Sequence, residues 1–309
     1  MKGCDYLILK PRSESSELLI LRALSPRKNF TEKERQYYLG LEKGYEGELK
    51  FDKLMETHLN EIPFLNDLLL EQNNSLFQID SLGCSKDGLY LFDIKNFEGD
   101  FIVDGETWKT TNGTELKNPI HQSTRCETLF RKYLLERKFN LPIKSYLIFI
   151  NPHFTLYNAP INPSIILPTQ LDKFIEKLQM DISNPGTKYT KLVERILSDH
   201  RSGYPNPNLP KYEYGELKKG VFCSECRSNM LSDLDRTGKV FCGGCRNVES
   251  LESAVLRSIW DFQLLFPEKK VTTVEIFKWC NGIVGYRTIL RILIKNFKRE
   301  GNGKATFYL

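Results

Sequence analysis

Apolar and polar positions divide the chain into a mixed α/β part and an α-rich end. From Leu76 to Leu82 and from Leu89 to Lys95 apolar residues alternate or run together, with turn-type Ser85-Lys86-Asp87-Gly88 between them, so the two runs predict an antiparallel hairpin. Side chains two apart on a strand share a face, which sends Asp93 and Lys95 one way and Ile94 the other, toward a core. Asp80, late in the first strand, then falls beside Asp93.

The same reading orders the rest. Tyr6 to Lys10 predicts a short strand, and Ser13-Glu14-Ser15-Ser16-Glu17 a capped helix start before Leu18, Leu19, Leu21 and Leu24. A helix opens near Thr31 and passes through Gly44-Tyr45-Glu46-Gly47-Glu48 to Leu49, Phe51, Leu54 and Met55; two glycines there let the backbone come close to a neighbouring strand or a phosphate. Residues 1–40 read as a lead-in without chemistry. Phe101-Ile102-Val103 and Thr107-Trp108-Lys109 form a strand pair around Asp104-Gly105-Glu106. Asn118-Pro119-Ile120-His121-Gln122 begins a helix whose first amides are open to a phosphate. Lys144 to Ile150 is apolar enough for an interior strand of an α/β sheet. Helices follow at Leu171 to Leu178 and Lys191 to Leu197, and prolines and glycines between Ser183 and Leu217 read as a linker.

Composition adds three points. With 309 residues, 40% of them hydrophobic and 12% aromatic, the chain has the make-up of a folded protein of two or three domains rather than a disordered one. No apolar run reaches the length of a membrane helix and Met1-Lys2-Gly3-Cys4-Asp5 lacks a signal peptide's apolar core, so the expected location is cytoplasmic, with no membrane partner. The net charge of +5 is uneven: from Lys269 onward nine Lys/Arg face only Glu275 and Glu300, as a polyanion-binding end would, or a solvated charged face.

A bare Asp-x-Lys is worth little alone and equally fits a salt-bridged Asp93/Lys95 pair. In order along the chain, however, stand Gly44-x-x-Gly47-Glu48, Gln78-Ile79-Asp80, Phe92-Asp93-Ile94-Lys95-Asn96 with Gly99 behind it, and Asn118-Pro119-x-x-Gln122. This arrangement resembles the PD-(D/E)XK nuclease fold and, more narrowly, the NERD (nuclease-related) domain, with Asp93 where that family usually carries Glu. The resemblance covers roughly residues 40 to 150. It implies an α/β fold with a mixed sheet flanked by helices, and a metal-dependent nuclease cutting DNA. Asp80 and Asp93 would hold Mg²⁺ or Mn²⁺, hard cations suited to carboxylate oxygens, Lys95 would orient water or stabilise charge, and Gln122 and Glu48 would complete the site. The competing reading is a non-catalytic nucleic-acid-binding or regulatory protein on a degenerate nuclease fold.

Cys223-x-x-Cys226 and Cys242-x-x-Cys245, with fifteen residues between the pairs, have the spacing of one tetrahedral structural Zn²⁺ site in a hairpin ribbon turned near Thr237-Gly238. A redox Cys-x-x-Cys comes singly. At the end, Val255 to Leu265 is amphipathic, a helix opens at Thr273, Asn281-Gly282 turns, and Tyr286 to Phe297 predicts a second helix with Ile289, Leu290, Leu293 and Ile294 inside. Gly301 to Leu309 reads as a strand hairpin. That order resembles a winged helix-turn-helix, with Arg287, Arg291, Lys295 and Lys298 along its second helix as DNA-phosphate contacts; a plain bundle shows the same periodicity, and a protein partner for the tail stays open. The expected division is a lead-in at 1–40, a nuclease domain at 41–182, a linker at 183–216, a zinc ribbon at 217–248 and a winged-helix-like domain at 249–309.

Overall fold

The computed structural model describes residues 8–203, 207–227, 231–234 and 238–309; Cys4, Tyr6 of the expected first strand and Thr237 of the expected ribbon turn lie outside them. In chain order the elements begin with β1 (Ile8–Lys10), α1 (Ser16–Leu24) and α2 (Glu32–His58). A run of strands follows: β2 (Phe64–Gln72), β3 (Ser75–Ser85), β4 (Gly88–Lys95), β5 (Gly99–Asp104), β6 (Thr107–Thr110) and β7 (Glu115–Leu116). Then come α3 (Pro119–Glu136), β8 (Ile143–Phe149), β9 (Phe154–Tyr157), β10 (Ile165–Ile166), α4 (Leu171–Asp181) and α5 (Thr190–Asp199). The last third holds β11 (Leu231–Leu234), β12 (Lys239–Cys242), β13 (Val248–Ser250), α6 (Leu251–Leu265), α7 (Thr273–Trp279), α8 (Tyr286–Asn296), β14 (Arg299–Glu300) and β15 (Phe307–Tyr308). Among the described residues no helix is long and apolar enough to cross a membrane.

Two compact units divide these elements: Met1–Glu14 with Leu39–Asn206, and Ser15–Tyr38 with Pro207–Leu309. In the first, a mixed six-stranded sheet has the order β1-β2-β3-β4-β8-β10. The β3–β4 hairpin pairs Ser81 with Phe92 and Ser85 with Gly88. β4 then pairs parallel with β8, and a parallel neighbour requires a crossover, which includes α3. β2 is a strand that the alternation reading leaves out. It lies between β1 and β3 with most of its residues buried, so Leu68-Leu69-Leu70 shows no polar beat to read.

Both faces of this sheet are covered. Phe51 and Met55 of α2 pack with Phe92, Ile94 and Ile148 and with Phe174 of α4, while Phe130 and Tyr133 of α3 and Leu192 of α5 pack with Phe77, Ile79 and Leu82. Fully buried side chains of this size contribute about 1.5–3 kcal/mol each, so Ile94 on one face and Phe77 on the other set the register that leaves Asp93 and Lys95 opposite α2.

The second unit gathers α1, α6, α7 and α8 around Trp279, with Leu24, Val255, Phe262, Ile276, Ile289 and Leu293 in its core. Arg27, fully buried, lies over the Trp279 ring at 4.1 Å and pairs with Asp261 at 3.0 Å. The α7–α8 connection turns at Asn281 and Gly282, both at positive φ, and β14 and β15 pair antiparallel behind α8. Two expectations are corrected here. Ile294 is 57% exposed, because the helical period that buries Ile289, Ile292 and Leu293 carries it outward. Lys298 is not on α8: Phe297 takes extended backbone, and Lys298 exchanges backbone hydrogen bonds with Leu309 instead.

Candidate metal centre

The site is assembled where α2 meets the end of β4. A Cβ added to Gly47 would stand 2.5 Å from the Asn96 Cβ, so only glycine permits this approach, and the Asn96 side-chain amide ties the contact by donating to the Lys43 carbonyl at 2.7 Å. Gly44, the other glycine of the motif, has no atom within 4 Å of such a Cβ and carries no such constraint. With α2 held down at Gly47, Glu48 is brought into electrostatic reach of Asp80 and Lys95.

On the sheet, the Ile94 N–H donates to Asp80 Oδ2 at 2.9 Å, fixing the Asp80 carboxylate against β4. Lys95 Nζ lies 2.7 Å from Asp93 Oδ1 as an ion pair. Asp80, Asp93 and Lys95 open on a cavity of about 270 Å³ whose other wall is α3, with Gln122 and Arg125. Asn118 caps α3 by accepting from the Ile120 N–H at 2.9 Å, and Pro119 occupies its first turn. Cys126 also lines the cavity, but burial, with Asp80 and Asp93 nearby, pushes its thiol up to about 12, which removes it as a nucleophile near neutral pH.

Glu48 does not line this cavity. Its carboxylate is taken by Arg12, a residue the sequence reading passes over: Nη1 donates to Glu48 Oε2 at 2.6 Å, Nε and Nη2 grip Asp52 at 2.8 and 2.9 Å, and Nη2 also donates to the Asp80 carbonyl at 2.9 Å. The Arg12 side chain is 2% exposed. Nothing in Pro11-Arg12-Ser13 marks it. The available signal was on the other side, in Glu48 and Asp52 spaced i,i+4 and so sharing one face of α2.

Carboxylates outnumber the cations paired with them here: Glu48 and Asp52 share Arg12, and Asp93 pairs with Lys95, while Arg125 stands on the cavity wall. The titration behaviour follows from this. Burial, with Asp80 adding to it, raises Glu48 to about 8, and Arg12 pulls it down only part way because its guanidinium is shared with Asp52. Burial likewise raises Asp93 to about 6; Lys95 opposes this, and Asp80 adds to it. Lys95 is disfavoured by burial but raised on balance by Asp93, Asp80 and Glu48, so it stays charged. The carboxylate oxygens of Asp80 and Asp93, hard donors at the edge of one cavity, are of the kind that suits a divalent cation.

A second donor set lies in the other unit. Sγ atoms of Cys223 and Cys245, and of Cys226 and Cys242, are 3.5 Å apart, and all four fall within 4.8 Å of one another. Tetrahedral Zn–S bonds of about 2.3 Å require S···S near 3.8 Å, so the four cysteines could hold zinc. They flank a three-stranded antiparallel sheet, β11-β12-β13. Of the basic residues near the end, Arg287, Arg291 and Lys295 are exposed on α8, Lys295 pairing with Glu252 at 2.8 Å; exposed Lys298 pairs with Glu300 at 2.6 Å.

The first unit is thus a mixed α/β unit, a mixed sheet flanked by helices, with two carboxylates and a lysine at one cavity. The family model for the nuclease-related domain, NERD, matches residues 43–150, from α2 through β8. This supports a nuclease-related function, and the matched stretch contains Glu48, Asp80, Asp93, Lys95 and Gln122 but not Arg12. No curated protein and no solved structure matches the chain.

Proposed function

We propose that the first unit is a metal-dependent nuclease that hydrolyses DNA phosphodiester bonds at the Asp80–Asp93–Lys95 cavity. The observation that carries this reading is the pair of carboxylates on adjacent strands with a lysine beside it, inside the stretch that matches a nuclease-related family. Asp80 and Asp93 would hold Mg²⁺ or Mn²⁺, which when bound supplies Lewis-acid polarisation of the phosphate and a more acidic water. Lys95, held charged and half-buried, offers a preorganised N–H to the phosphate oxygen on which charge builds. Gln122, exposed near the start of α3 and on the cavity wall, offers an amide to the same group, and the first-turn N–H groups of that helix favour an anion.

In the second unit we read β11-β12-β13 with its four cysteines as a zinc ribbon, and α6 to α8 with β14 and β15 as a winged-helix-like module. Arg287, Arg291, Lys295 and Lys298 would contact phosphate, holding the substrate rather than cutting it. The chain is read as cytoplasmic.

The experiment is cleavage of end-labelled single- and double-stranded DNA by the zinc-loaded protein with Mg²⁺ or Mn²⁺. Asp93→Ala and Lys95→Ala should each lower the rate by about 10²-fold or more while circular dichroism stays unchanged. Cleavage undiminished in both would sink the assignment. A protein that binds these DNAs but cleaves none of them is the degenerate-fold alternative, in which the 2.7 Å Asp93–Lys95 ion pair is merely structural.

A further inference from the structure

Arg12 lies outside the matched residues, yet it is the cation that pairs with both Glu48 and Asp52 at this centre. It gets there through β1, which pairs parallel with β2 in the register Ile8 with Phe64 and Lys10 with Leu65. Lys10 secures that strand end by donating to the carbonyls of Asn66 and Asp67, both at 2.8 Å. The chain then leaves the sheet at Pro11, and the Arg12 side chain turns in between α2 and β3.

We infer that Arg12 is a positioning residue of the metal centre, fixing Glu48 and the Asp80 backbone relative to each other, so that the working nuclease unit begins at β1 and not at the matched domain. This rests on the nuclease reading above. Three features carry it. A single guanidinium reaches three separate groups, the Glu48 carboxylate, both oxygens of Asp52 and the Asp80 carbonyl. Its fork makes the contact to Asp52 bidentate, a geometry lysine cannot reproduce. And the side chain is too buried to meet substrate, which leaves geometry, transmitted through Asp80, as its route to the chemistry. Asp80 is thus held at two points, its carbonyl by Arg12 and its carboxylate by the Ile94 amide. Partners that orient metal-binding groups in this way are worth about 10–100-fold in metal affinity or activity.

The alternative is that Arg12 matters only as a charge, and the two ideas give opposite signs. As a mere cation, Arg12 would repel a metal ion, so Arg12→Met would tighten binding and Arg12→Lys would leave it as it was. As a positioning residue, both substitutions weaken it. The test is titration of the zinc-loaded, full-length protein with Mn²⁺ by calorimetry, beside oligonucleotide cleavage, for Arg12→Lys, Arg12→Met and Asp52→Asn.

The expected result is a loss of Mn²⁺ affinity of about 10–100-fold in Arg12→Lys, with kcat lowered and KM for the oligonucleotide little changed. Asp52→Asn, which frees the guanidinium without touching Asp80, should show the same loss, and combining it with Arg12→Lys should add little more. Should Arg12→Met fail to fold, the Lys and Asn variants carry the test alone. Wild-type affinity and kcat in Arg12→Lys, or tightened binding in Arg12→Met, overturns the inference. A wild-type protein that binds Mn²⁺ but cleaves nothing refutes the nuclease reading and leaves the affinity comparison to decide the role of Arg12. A wild-type protein that takes up no Mn²⁺ refutes both.

Discussion

Gly47 and Gly44 lie one turn apart on α2 and offer a matched pair of substitutions with unequal expected effects. At Gly44, alanine meets nothing within 4 Å and removes the entropy penalty of glycine in a helix interior, a gain of about 0.5–1 kcal/mol. At Gly47 the same gain is opposed by a Cβ placed 2.5 Å from the Asn96 Cβ, where carbon atoms sit best at about 3.5–4.0 Å, so α2 and the end of β4 must part by about 1 Å or more. Asn96 cannot swing away without losing its bond to the Lys43 carbonyl. Overpacking of this kind costs about 1–3 kcal/mol; the helix-propensity gain is common to both sites and cancels between them, so Gly47→Ala should be less stable than Gly44→Ala by about 1–3 kcal/mol. Because the chain has two units, a single melting curve does not isolate this effect, whereas hydrogen exchange across β3 and β4 does. Amides there should open about 5–150-fold more readily in Gly47→Ala than in Gly44→Ala. Equal protection in the two variants would refute the close-approach argument, and with it the account of how Glu48 reaches Asp80.

Two further outcomes follow from the charged and thiol groups. Glu48 and Asp93 are both raised in the folded protein, to about 8 and about 6, so the folded state holds more protons than the unfolded one between the ordinary carboxylate range and those values. Their contribution to stability is therefore full below the ordinary range and lost as pH rises through 6 and 8. In zinc-loaded, Mg²⁺-free protein the β3–β4 region should be better protected, after correction for intrinsic exchange, at pH 5.5 than at pH 8.5. Glu48→Gln should flatten that dependence, and an unchanged slope in this variant would contradict the assignment. For the thiols, Cys223 and Cys242 are buried in the core of the second unit, so stripping the metal should release about one Zn²⁺ per chain and expose all four cysteines to a thiol reagent. Equal thiol reactivity before and after chelation would show that no zinc holds them.

The legible parts of this protein were those whose information is local. The β3–β4 hairpin announced itself through alternation and the Ser85 to Gly88 turn, α3 through the Asn118 cap and Pro119, and the four cysteines through their spacing. β2 was not legible, because a strand covered on both faces has no alternation to show. The fate of the first forty residues was hidden for another reason. α1 adds Leu24 to the core of the second unit and Arg27 lies over Trp279, contacts made more than 200 residues away in sequence, which no periodicity encodes.

Arg12 shows the same limit at the site itself. Its three partners, Glu48, Asp52 and Asp80, lie 36 to 68 residues away, and each has an ordinary explanation when read alone: an exposed helix glutamate, its i,i+4 neighbour and a turn aspartate. Only the fold shows that these carboxylates share one region and outnumber the cations paired with them. That imbalance argues against a purely structural reading of the Asp93–Lys95 pair. A salt bridge kept for stability would be expected to come close to neutral with its surroundings, since uncompensated buried charge is costly. Here Lys95 is shared among Asp93, Asp80 and Glu48, and Arg12 is spent on Asp52 and Glu48. A carboxylate-rich cluster whose paired cations are already shared in this way suits a bound cation better than a pair kept for stability alone.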